Sequence, residues 1–140
     1  MRTAWPLAAV ILLLAACSAA PVGTTGNTAY SPREQMQTVM TAYGAVLTAA
    51  DAAINTGKLP AGVPAKIAAS TQAATNAIHA ADAEAGKCFR DQTTGIVGDA
   101  PNLAAGVHCD PSAAALLIGA AQSAVGSSSG LLSAFGIAAQ

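Results

Sequence analysis

The chain has 140 residues, 53% of them apolar, with six Lys and Arg against seven Asp and Glu and a formal net charge of −1. Charged residues make up only 9% and the lysines and arginines are scattered, which argues against nucleic acid as a partner, because phosphate neutralisation needs clustered cations. Aromatic residues are 4% and most of the apolar content is alanine, so the core must be thin and rest on tight helix contacts.

Residues 1–16 have the three parts of an export signal: a basic residue, Arg2, an apolar core from Ala8 to Leu14, and small residues before a cut. The core is far shorter than the roughly 20 residues a membrane-spanning helix requires. It closes on Leu14-Ala15-Ala16-Cys17. This stretch resembles the lipobox of bacterial lipoproteins, in which the cysteine is diacylated, the leader is cut before it and the new amino terminus is acylated again. The resemblance implies a lipid on Cys17 and a mature protein held at the cell envelope by that anchor. Several acyl chains on one residue make release from a bilayer negligible. Ser18 stands where an aspartate favours inner-membrane retention in enterobacterial lipoproteins, so the resemblance implies the outer membrane, facing the periplasm. The alternative is an ordinary secretory signal. The likeness covers 17 of the 140 residues, and unrelated proteins share it as a processing signal, so it brings no activity with it.

From Ser18 to Tyr30 the sequence is uncharged and rich in Gly, Thr and Ala. This composition reads as a tether, with a coil span on the order of 20 Å. Ser31-Pro32-Arg33-Glu34 then starts a helix: Ser31 is placed to cap, Pro32 takes the first helical position, and Glu34 completes a capping box. Apolar residues recur with helical spacing at Met36, Val39, Met40, Tyr43, Val46, Leu47, Ala50 and Ile54. Gly57 is the natural stop, giving a helix of about 25 residues and roughly 37 Å.

Lys58 to Val63 reads as a short turn. Pro64 opens a second helix to about Ala85, with a stripe of Ile67, Ala74, Ile78, Ala81 and Ala85 and a stop at Gly86. Two long helices joined by a short connection predict an antiparallel hairpin, and alanine at the contact positions lets the backbones approach closely. Lys87 to Cys109 lacks periodicity. Asp110-Pro111 restarts a helix by the same cap-then-proline logic, expected to run through Val125. Ser127 to Ser129 are expected to interrupt it, with Leu131 to Ala139 as a last short helix. No residue from Pro111 to Gln140 is charged. The segment's Leu116, Leu117, Ile118, Leu131, Leu132 and Phe135 are expected to supply bulk over the apolar face of the hairpin.

Cys88 and Cys109 are the remaining cysteines. Export places them in an oxidising compartment, and their position at the ends of an irregular loop predicts a disulfide. A metal site built from these cysteines with His108 and His79 is the sharper alternative, but it lacks the local CxxC or HxxxH spacing such sites show. Gly126-Ser127-Ser128-Ser129-Gly130 matches G-x-S-x-G, which acts as a nucleophile elbow only between a buried strand and a helix. Here it follows an alanine-rich helical run and reads as a flexible hinge. His79 and Asp82 are three apart and within reach of a surface contact, whereas Asp82 and Glu84 do not share a helix face. No enzyme signature, catalytic residue, metal ligand set or cofactor motif is expected.

These observations predict an all-α fold, an antiparallel helical hairpin plus C-terminal helices in a small disulfide-stapled bundle. Residues 1–16 read as a lipoprotein signal peptide, 17–30 as the lipidated terminus and tether, and 31–140 as the helical domain. The expected role is structural or protein-interacting, with the membrane contacted through the lipid anchor and an envelope protein as partner. The alternative is a membrane-active lipoprotein that uses the uncharged 111–140 segment against a bilayer.

Overall fold

The computed structural model describes residues 30–138. The expected signal peptide, the expected lipidation site Cys17 and the expected tether as far as Ala29 lie outside the described residues. Three helices form the body: α1 (Pro32–Asn55), α2 (Val63–Ala85) and α3 (Pro111–Ala134). Between α2 and α3 lies a small antiparallel hairpin of β1 (Cys88–Arg90) and β2 (Val97–Asp99), paired Cys88 to Asp99, Phe89 to Gly98 and Arg90 to Val97.

The helix starts follow from side chains that satisfy otherwise orphaned backbone N–H groups. At α1 the Glu34 N–H donates to Ser31 Oγ over 3.3 Å and the Ser31 N–H donates to the Glu34 carboxylate over 2.6 Å, a complete capping box. At α3 the Asp110 carboxylate accepts the N–H groups of Ser112 and Ala113, each at 3.0 Å. Proline occupies the first turn of all three helices. Beyond α1, Gly57 takes the left-handed conformation at φ +64° that ends a helix without a Cβ penalty.

Packing uses one face of each helix. The alanine stripe of α2 is buried as expected, with Ala74, Ala81 and Ala85 fully shielded, Ile67 buried two turns before them and Ile78 buried between Ala74 and Ala81. On α1 the buried residues are Pro32 in the first turn, then Met36, Val39, Val46, Ala50 and Ala53. Met40, Leu47 and Ile54, expected in the core, are exposed instead. Each follows a buried residue by one position, a rotation of about 100° that carries it to the edge of the packed face. Tyr43 remains half-buried and donates its hydroxyl to the Thr71 carbonyl at 2.9 Å, with Thr75 Oγ1 at 2.6 Å, tying α1 to α2.

The C-terminal segment corrects the sequence reading most. The expected break at the serines does not occur, and α3 runs unbroken through Gly126 to Gly130. Ser127 and Ser128 donate their hydroxyls to the carbonyls of Ser123 and Ala124 at 2.9 and 3.1 Å, so the polar groups are absorbed within the helix. Ser128 is buried, and its hydroxyl lies 2.9 Å from Ser70 Oγ on α2. The buried positions Ala114, Ile118, Ala121, Val125, Ser128 and Leu132 alternate in steps of four and three. Leu116 is two residues from both Ala114 and Ile118, hence on the opposite side of the helix, and is 77% exposed instead of covering the hairpin. The separate helix expected at 131–139 is also absent: α3 ends at Ala134. There the Ile137 N–H bonds the Leu132 carbonyl and the Gly136 N–H bonds that of Ser133, with Gly136 at φ +73°. This is the Schellman pattern, and it leaves Phe135 partly exposed. Ile118 and Leu132 do supply the expected bulk, with Leu117 and Leu131 packed beside them.

Candidate functional site

The chemistry-bearing side chains converge where α1 begins, α2 ends and α3 begins. Cys88 and Cys109 are bonded to each other, with their Cα atoms 4.8 Å apart. Cys88 is buried and Cys109 half-buried. The bond ties the strand that follows α2 to the residue that precedes the α3 cap. It also removes both thiols from the alternative ligand set with His79 and His108. Among the described residues, no three His, Cys, Asp or Glu side chains lie close enough to hold a metal ion.

Asp99, the cross-strand partner of Cys88, clamps the far side of the staple. One carboxylate oxygen accepts the Cys109 N–H at 2.6 Å and the other lies 2.9 Å from His108 Nδ1. These contacts hold the Asp99 carboxyl below its ordinary range, the His108 bond first and the Cys109 N–H second. Asp91 closes the hairpin turn by accepting the N–H groups of Thr93 and Thr94 at 2.7 and 2.8 Å. Its pKa is lowered by those bonds, Thr94 contributing most. Glu34 is likewise lowered, chiefly by the Ser31 N–H of its capping box.

Beside the staple, the first turn of α1 and the hairpin enclose an open, mostly polar cleft of about 420 Å³. Arg33, Glu34 and Gln37 line it from α1, and Phe89, Arg90 and Gln92 from the hairpin. A second groove of about 470 Å³ runs between α1 and α3, lined by Ala42, Ala45 and Val46 on one side and Gln122, Val125 and Gly126 on the other. It is apolar and shallow.

Sequence reasoning located both cysteines of the staple. It missed the Asp99–His108–Cys109 clamp, whose members are nine and ten residues apart and obey no spacing rule. His79 and Asp82, weighed as a surface pair, are both exposed and do not pair with each other; Lys87 pairs with Glu84 at 2.6 Å, and His108 Nδ1 lies 2.9 Å from the Asp99 carboxylate. The G-x-S-x-G match lies inside α3, without the strand-to-helix turn that an elbow needs. No protein family model, curated protein or solved structure matches the chain.

Proposed function

We propose that the chain is a lipid-anchored envelope lipoprotein whose stapled helical bundle serves a structural or protein-interaction role. The observation that carries this reading is the Leu14-Ala15-Ala16-Cys17 stretch at the end of a short apolar leader. The Cys88–Cys109 disulfide supports it independently, since such bonds persist in the oxidising compartments that an export signal leads to. The bundle acts as a rigid body displayed at the membrane, and no step of chemistry is assigned to it. Detergent phase partitioning tests the anchor. The wild-type protein should enter the detergent phase and Cys17→Ser the aqueous phase; equal partitioning of the two contradicts the proposal.

A second reading, membrane activity of the C-terminal segment, is favoured by one observation. Among the described residues, α3 is the helix long and apolar enough to cross a bilayer, and most of it is not buried inside the bundle. Against it, insertion would withdraw Ile118, Val125 and Leu132 from the core they share with α1 and α2. Leakage of dye-loaded liposomes on addition of the lipid-free domain would favour this reading over the first.

A further inference from the structure

We propose that the outer side of the β1–β2 hairpin, built on Phe89 and Ile96, is a membrane-contact face that seats the tethered end of the bundle on the lipid surface. The proposal rests on the anchor at Cys17. Phe89 pairs with Gly98, and the Asp91 N–H bonds the Ile96 carbonyl at 3.0 Å. By strand alternation Phe89 and Ile96 therefore stand on one side of the hairpin as diagonal neighbours. Cys88 belongs to the other side and is 1% exposed, so that side turns toward the bundle. Phe89 is 46% and Ile96 67% exposed. Ile96 is thus held outward, and Phe89, which also borders the cleft beside α1, keeps nearly half its surface open, with the Asp91 carboxylate on the same side tied down by the Thr93 and Thr94 N–H groups.

The place of this face selects its occupant. Ser31 and Glu34 line the same cleft as Phe89 and Arg90, so the hairpin stands where the chain arriving from Cys17 joins the bundle. About 13 residues separate Cys17 from Tyr30, a reach of at most about 45 Å. An acylated Cys17 keeps the hairpin within that distance of the bilayer, at an effective concentration that makes a weak contact count. A free protein would not stay bound through two side chains; a tethered one does. Charge then selects the lipid. Glu34, Glu84, Asp91, Asp99 and Asp110 outnumber Arg33, Lys87 and Arg90 at this end. The face suits a zwitterionic surface, and anionic lipid weakens the contact, the reverse of a polybasic foot.

The experiment uses the acylated protein, its acylation read by intact mass, in phosphatidylcholine vesicles with brominated acyl chains. The only tryptophan in the sequence is Trp5, in the leader, so Phe89→Trp gives a single reporter. Ala61→Trp in the exposed turn before α2, an α1 length or about 36 Å away, is the control. Bromolipid should quench Phe89→Trp severalfold more than Ala61→Trp, and replacing part of the lipid with phosphatidylglycerol should reduce that quenching. Equal quenching at the two positions in acylated protein overturns the docking face and leaves the anchor standing. A mass without acyl chains removes the anchor and the proposal with it. Shielding of Phe89→Trp in native envelope membranes but not in protein-free vesicles assigns the face to a protein partner and overturns the lipid assignment. Stronger quenching with added anionic lipid contradicts the charge argument.

Discussion

Asp99 shows how one exposed side chain can organise a loop that has little core of its own. Its two oxygens reach His108 and the Cys109 N–H, so the carboxylate form is favoured in the fold and its pKa lies below the ordinary 3.8. A depressed carboxyl contributes stability above its unfolded pKa and loses it as pH falls through the folded value. Asp91 and Glu34 share the same sign. Thermal stability should therefore decline as pH drops below about 4, and Asp99→Ala should both lower the melting temperature at neutral pH and flatten that acid decline. An unchanged acid profile in the variant would remove Asp99 from this role. Ser128 makes a different kind of contact, a buried hydroxyl paired with Ser70 across α2 and α3. Ser128→Ala should cost about 1 kcal/mol, with a coupling to Ser70→Ala of about 0.5–1 kcal/mol in a double-mutant cycle measured by urea unfolding.

At the scale of elements, the disulfide matters because the segment between α2 and α3 has only two three-residue strands to order it. The bonded cysteines are 21 positions apart, and closing a loop of that size contributes about 3 kcal/mol, mainly by restricting the unfolded chain. Differential scanning calorimetry with and without reductant should show a loss of that order, with the same loss in a Cys88→Ser, Cys109→Ser double variant. Helix ends were legible in the sequence because caps are local: Ser31-Pro32 and Asp110-Pro111 start helices where their side-chain chemistry says they should. The alanine stripe of α2 was legible because its spacing is a single-helix property. The serines were not. Gly126 to Gly130 contains only weak helix formers, and what keeps it helical is packing on α2 and the Ser70 contact, 58 residues away. The hairpin was invisible because three-residue strands are too short for alternation to register. The same limit hid the outward face of Phe89 and Ile96, although both cysteines that brace it were plain.

For the whole molecule, the core is shared three ways, and α3 supplies Ile118, Val125 and Leu132 to it. Its buried row faces the alanine stripe of α2 closely, while α1 brings Met36, Val39 and Val46. Neither pair of helices alone buries all of these side chains, and a two-helix remnant of this size holds few kcal/mol net. Deleting residues 111–140 should therefore unfold the remainder or abolish its cooperative thermal transition by circular dichroism; an unchanged transition would free α3 for the membrane reading. The exposed Leu116 on α3 and the exposed Met40, Leu47 and Ile54 on α1 show that apolar bulk in this chain exceeds what three helices can cover.

The central claim is that this bundle is carried on a lipidated cysteine, and intact mass spectrometry of the protein extracted from membranes tests it most directly. The account predicts a chain that begins at Cys17, lacks residues 1–16, and is heavier than its polypeptide by a diacylglyceryl group with or without a third acyl chain. Alkaline hydrolysis should release the ester-linked acyl chains. A chain that retains the leader, or one cut at or near Cys17 but matching the bare polypeptide mass, would contradict it.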